Sequence, residues 1–231
     1  MNLEPVLKSL FPAGYRTQVD GLVAAGEGQA ASGSVAWIGS REPIALGIDD
    51  ALALSDAWLR VLRETPGRPI LMLVDNRGQK MGLEEERLGL HDYLAHLVKL
   101  QDLAMRRGHK VLALVHGESM AGAFIAWGLC AGRVYALADS HTSVMALPAM
   151  ARVTKLPLER LEALSRQIPV FAPGVDNFMR TGGLHGLWEG DLSRCLEQAL
   201  AGYADDDNRA QLGKQRGGRL MAAEIMDRCE A

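Results

Sequence analysis

Two apolar runs with an amphipathic stretch between them constrain this chain most. ILMLVD (70–75) and VLALV (111–115) show no polar alternation. A continuous apolar run of strand length reads as a strand covered on both faces. Between them Leu90, Tyr93, Leu94, Leu97, Leu100 and Ala104 recur at helical spacing. They predict one long helix from about Glu84 to Arg107, stopped by Gly108. Strand, helix, strand with a right-handed crossover implies a parallel sheet. Ligands of such sheets bind beyond the C-terminal strand ends. The segments at those ends are NRGQKMG (76–82) and HGESMAG (116–122), read here as polar turns. They follow consecutive parallel strands and are expected to be neighbours in space.

The flanking sequence fits one α/β domain. Residues 19–48 have the short apolar runs and glycine punctuation of β-structure. A helix is expected from about Asp50, with Leu54, Trp58, Val61 and Leu62 on one face and TPGRP (65–69) as its stop. RVYAL (133–137) and TSVMAL (142–147) read as further short strands. From about residue 156 helices dominate. The expectation is a single domain over 1–231 whose last third is a helical extension.

Composition narrows the function classes. Hydrophobic residues make up 48% of the 231 residues and charged residues 23%, enough to build a sizeable core. The net charge of -3, with bases scattered among acids, leaves no nucleic-acid footprint and no polybasic membrane patch. The first residues lack the pattern of a secretory signal, and no apolar run is long enough to span a bilayer. Cys130, Cys195 and Cys229 form no metal or disulfide pattern, which reads as a cytoplasmic protein with reduced thiols.

Two chemistries compete for VLALVHGESMAGAFIAWG (111–128). Gly117-Glu118-Ser119-Met120-Ala121 is nearly a nucleophile elbow, and Asp139 or Asp176 followed by His185 would complete a triad order. However, the early oxyanion motif of such hydrolases is missing. A serine opening a helix is more often a cap that accepts backbone N–H groups. The second chemistry needs no side chain. The N–H groups of Gly122 and Ala123 at a helix start could face a developing oxyanion. The alternative for those small residues is close packing of helix on sheet.

Other polar residues carry weaker signals. His91 and His96 fall on different helix faces and form no metal pair. His116 and His141 lie at strand ends, where either could hand over a proton. TGGLHGLWEGD (181–191) has glycines but no lysine, so it is no phosphate loop. His185 and Trp188 could touch substrate or a partner, or merely order that loop. Glu84, Glu85 and Glu86 suit a helix start. Met120, Met145 and Met150 are expected to fill gaps.

Taken in order, Arg68-Pro69, Asp75 with Gly78, Glu84 to Glu86, Gly117-Glu118, Gly122 and Pro148 resemble the crotonase superfamily. The closer resemblance is to its acyl-CoA carboxyltransferase branch, over about residues 65–150. GESMAGAFIAWG and GGLHGLWEG are similar to the gamma subunits of biotin-independent malonate decarboxylases. The resemblance implies a crotonase-like (ββα) superhelix with C-terminal helices. It implies a homologous crotonase-like beta subunit and an acyl-carrier protein as partners. The substrate would be a malonyl group on the carrier's phosphopantetheine-type thiol, with no cofactor bound by this chain. By position, Gly122 and Ala123 would supply oxyanion-hole amides. Gly78 and Gln79 would give a second contact, and Ser119, Met120 and Pro148 would line the substrate site, with His116 as a proton donor. The hydratase glutamates of the superfamily are absent: Ile125 and Ala149 stand near their places. Water addition is therefore excluded, whereas decarboxylation needs no base to start. A serine hydrolase, a carboxyltransferase subunit and a non-catalytic scaffold remain as alternatives.

Overall fold

The computed structural model describes residues 3–169, 172–218 and 220–230. A helix, α1 (Leu3–Leu10), precedes a three-stranded antiparallel meander, β1 (Tyr15–Asp20), β2 (Val23–Ala30) and β3 (Gly33–Ser40). A short β4 (Ile44–Leu46) leads into α2 (Ile48–Glu64) and then β5 (Ile70–Gln79). The crossover to β6 (Val111–Met120) carries α3 (Leu83–Arg87) and α4 (Leu90–Arg106). After β6 come α5 (Ala121–Phe124), a π-helical turn over Ile125–Leu129, β7 (Arg133–Leu137) and β8 (His141–Ser143). The last third holds α6 (Leu147–Thr154), α7 (Leu158–Gln167), α8 (Val175–Arg180), β9 (Gly186–Trp188), α9 (Leu192–Ala201), α10 (Arg209–Gln215) and α11 (Leu220–Glu230).

The strands form one sheet in the order β1-β2-β3-β5-β6-β7-β9. β3, β5, β6, β7 and β9 run parallel. The apolar runs behave as their composition requires. Ile70, Met72 and Val74 join Val111, Ala113 and Val115 in one buried cluster, under α2 and α4. Leu71 and Leu73 join Leu112 and Leu114 in the other, under α1 and α9. Each strand side chain thus has an apolar layer to enter, whichever way it points.

Several boundaries differ from the sequence reading, each for a physical reason. The long helix is broken in two by Gly89, which has φ +76°. TSVMAL is a strand only as far as Ser143, because Pro148 opens α6 in the first helical turn. The largest difference is at the strand ends. NRGQ and HGESM are strand rather than turn, because β4 pairs with the end of β5 and β8 with the end of β6. The polar residues there are held by outer strands that the sequence pattern does not reveal.

Candidate functional site

The ends of β5 and β6 build the site. From Ile70↔Val111 to Val74↔Val115 the two strands pair residue for residue. The next pair is Asn76↔Ser119, so β6 has gained two residues, and only Asp75 of β5 stands opposite His116, Gly117 and Glu118. Such a bulge bends the strand and strips ladder partners from its N–H groups. Two consecutive buried side chains of β5 replace them. Asp75 Oδ1 accepts the Glu118 N–H at 2.9 Å. Asn76 Oδ1 accepts two N–H groups, from Gly78 at 3.2 Å and from Met120 at 3.3 Å. Asp75 and Asn76 are both essentially inaccessible, at 2% and 1% exposure.

Beyond the bulge the chain turns into α5 through an unusual residue. Ala121 has φ +56°, a left-handed conformation that costs an alanine about 1–2 kcal/mol. Such strain persists only where the surroundings over-determine it, and it clusters at functional sites. Ala121, Gly122 and Ala123 are the first helical positions, whose N–H groups have no carbonyl one turn back. Met120, at the cap position, makes no side-chain bond to them. Gly78, with φ +92°, lies against Ala121: a Cβ at 78 would sit 3.4 Å from the Ala121 Cβ. A Cβ at Gly122 would meet the Gln79 Oε1 at 3.4 Å. Gly78 and Gln79 thus come together with Ala121 and Gly122, as two neighbouring segments. After α5 the backbone widens into the π turn, where Trp127 and Gly128 depart from helical angles. The Ala126 carbonyl there is met by the buried Gln101 amide, at 2.7 Å.

The remaining predicted residues fall elsewhere. Ser119 lies within β6, fully buried, with its Oγ lacking a partner among the described residues. It is neither an elbow nor a cap, because the outer strand β8 holds its backbone extended. His116 sits in the bulge at 1% exposure, with neither ring nitrogen partnered among the described residues. Burial pushes its pKa down to about 4, against the pull of the Asp75 charge. At neutral pH this keeps the ring in its neutral form, which still carries one N–H. Pro148 is exposed at the start of α6. His91 and His96 are exposed on α4, as expected of a solvated face. Glu85 does more than favour its own helix: it accepts the Ile48 N–H at 3.0 Å and lies 3.9 Å from Lys80 Nζ. His185 accepts the Val134 N–H at 3.0 Å and orders its loop. The sequence reading missed Asn76 altogether. Its only signal is an amide directly after a run of buried residues.

The chain and its fold have counterparts among known proteins. The family model for the malonate decarboxylase gamma subunit matches residues 42–231. A malonyl-S-ACP:biotin-protein carboxyltransferase of Malonomonas rubra is 35% identical over 179 residues, 70% of this chain. The chain spans 61% of that relative's length. A chain of a Pseudomonas malonate decarboxylase hetero-tetramer, solved with coenzyme A, superposes with a TM-score of 0.77 at 28% identity, covering 96% of this chain and 95% of that one. A chain of the Pseudomonas MdcD-MdcE hetero-dimer superposes with a TM-score of 0.73 at 27% identity, over 95% and 97% of the two chains. The mixed α/β sheet with its helical last third is therefore a crotonase-like carboxyltransferase fold. With more than three-quarters of its length matched by one family, the chain belongs to the malonate decarboxylase gamma subunits.

Proposed function

We propose that this chain is one half of a crotonase-like pair that decarboxylates a malonyl group carried as a thioester on an acyl-carrier subunit. The C–C bond to the carboxylate breaks and CO₂ leaves. The bonding pair becomes an enolate whose charge lies largely on the thioester oxygen. A proton from solvent then completes the acetyl thioester. The observation that carries this reading is the left-handed Ala121, which leaves the Gly122 and Ala123 N–H groups uncapped beside Gly78 and Gln79. Fixed donors aimed at a charge that appears only in the transition state are an effective catalytic device.

A homologous beta subunit and the carrier protein are part of the reading. It is supported by the surface flanking the site. Neither α3 nor α6 buries a residue, and Met81, Leu83, Leu88, Val144 and Val153 are exposed. Apolar surface of this kind marks an interaction face. The thiol that carries the substrate belongs to the carrier, and this chain binds no cofactor of its own. We place the complex in the cytoplasm, in keeping with three free cysteines. Among the described residues, no helix is long and apolar enough to cross a membrane.

The test is CO₂ release from malonyl-carrier by the reconstituted complex, with Gly122→Val in this chain. A valine there fills the space between Gly122 and Gln79, whose Oε1 would lie 3.4 Å from the new Cβ, and crowds the amides. The expected loss is about 10²–10³ in kcat, that of an oxyanion donor. Unchanged CO₂ release from a properly assembled complex would place the chemistry elsewhere. A second reading follows from the Malonomonas relative: the carboxyl group passes to biotin on a partner protein instead of leaving as CO₂. Release that persists with avidin present favours the first reading, and a requirement for a biotinylated partner favours the second.

A further inference from the structure

The side chain of Asn76 bridges the two strand ends that form the site. Its Oδ1 accepts the Gly78 N–H at 3.2 Å and the Met120 N–H at 3.3 Å. These donors come from different strands: Gly78 belongs to the second contact of the proposed site, and Met120 immediately precedes Ala121. The bulge opposite Asp75 has already broken the one-for-one pairing, so the regular ladder no longer fixes the spacing of the ends. The Asn76 oxygen does so beyond the bulge, as the Asp75 carboxylate does within it by accepting the Glu118 N–H.

Packing does not explain an asparagine here. The residue is 1% exposed, and its Nδ2 is buried with no partner among the described residues. The Oγ atoms of Ser119 and Thr142, which follow Asn76 across the strands in register, are likewise buried and without partners among them. A buried donor left unpaired is costly, and an apolar side chain of similar size would avoid that cost. The oxygen end therefore has a task that outweighs the price of the nitrogen end. Its two bonds reach no other pair of groups than the N–H groups of Gly78 and Met120. Asn76 is not a catalytic residue, since it is enclosed and acts through its neighbours. Fixing the Met120 nitrogen fixes the point at which the chain enters Ala121 at φ +56°. That in turn fixes the direction of the Gly122 and Ala123 N–H groups. Gly78, tied to the same oxygen, is held against the Ala121 methyl.

We propose that Asn76 is a positioning residue that sets the orientation of the backbone amides for decarboxylation by clamping the ends of β5 and β6 together. This rests on the reading of Gly122 and Ala123 as oxyanion donors. It identifies what holds them in place. Amides displaced by about 1 Å are expected to cost about 100-fold in rate. Thioester binding, spread over the rest of the complex, should change little.

Two substitutions test it in the assembled complex with malonyl-carrier as substrate. Asn76→Ala should lower kcat about 100-fold with KM little changed, the split expected for an interaction realised in the transition state. Asn76→Asp gives a second readout that does not depend on how well the alanine variant folds. The aspartate keeps an oxygen for both N–H groups, and with its carboxyl protonated it also has the shape of the amide. Asn76→Asp should therefore restore much of the kcat that Asn76→Ala loses, most fully at the acid end of the pH range, where no second charge stands beside Asp75. A native kcat for Asn76→Ala, or an Asn76→Asp complex that assembles but is no more active than Asn76→Ala at any pH, overturns the inference. Gly122→Val, measured alongside, separates the two claims. If it is inactive while Asn76→Ala is fully active, the amides stand and the clamp falls. If it is fully active, the site reading falls and takes the clamp with it.

Discussion

The carboxyl group of Asp75 occupies the space that a Cβ atom at residue 117 would need. Three residues distant in the sequence, the acid that ends one apolar run and the Gly-Glu pair beyond the other, thus meet in one contact. The glycine makes room for the carboxylate, and the carboxylate accepts the Glu118 N–H at 2.9 Å. That bond closes the bulge on which the site depends.

Gly117→Ala is accordingly expected to destabilise the protein although Gly117 is not fully buried. The methyl group overlaps an almost inaccessible carboxylate whose neighbours cannot yield freely. Overpacking of this kind costs about 1–3 kcal/mol. For a chain of this size that corresponds to a fall of roughly 2–12 °C in Tm. Thermal unfolding of the purified variant measures it. An unchanged Tm would mean that Asp75 can swing aside without loss.

Ser119 provides a second prediction. Its hydroxyl is fully buried and lacks a partner among the described residues. Removing a buried hydroxyl that makes no bond is close to neutral or slightly stabilising. Ser119→Ala should therefore leave decarboxylation intact and the melting temperature equal or higher. A serine nucleophile would behave otherwise, since its loss costs on the order of 10⁶ in kcat. Labelling by a serine-directed fluorophosphonate should likewise fail on the native chain. Labelling at Ser119 would revive the hydrolase reading.

The sequence made the layout of the sheet legible, and the reason is visible in the strands themselves. Ile70 to Val74 and Val111 to Val115 are apolar on both faces because helices cover both, and that leaves an unmistakable run. Polar residues 75–79 and 117–119 carry no such period. Their strand conformation is imposed by β4 and β8, each only three residues long, and by the side chains of Asp75 and Asn76. Local pattern cannot report a partner brought from elsewhere. The same limit applies to Ala121, whose left-handed backbone no propensity would assign to an alanine. Pro148 is different: its fixed φ could have shown a helix start where a strand was expected.

The last prediction concerns acid. Burial pushes His116 down to about 4. His185 is lowered to about 4 as well, first by burial and then by the Arg133 and Arg209 charges. In the unfolded chain both return to the ordinary value near 6.5. Between pH 6.5 and 4 the unfolded state thus binds protons that the folded state refuses, and folding weakens as pH falls through that window. Above pH 6.5 neither group contributes any slope. For His116, almost wholly enclosed, the full effect is about 3 kcal/mol, and for the more accessible His185 it is smaller. Urea midpoints measured at pH 7, 6, 5 and 4.5 should fall steadily. His116→Leu should flatten much of that decline, because the variant has no ring to protonate. A native-like slope in His116→Leu would assign the acid sensitivity to His185 or to the carboxylates instead. Either way, activity that is lost reversibly over this range with the fold intact would point away from both histidines and towards groups at the site itself.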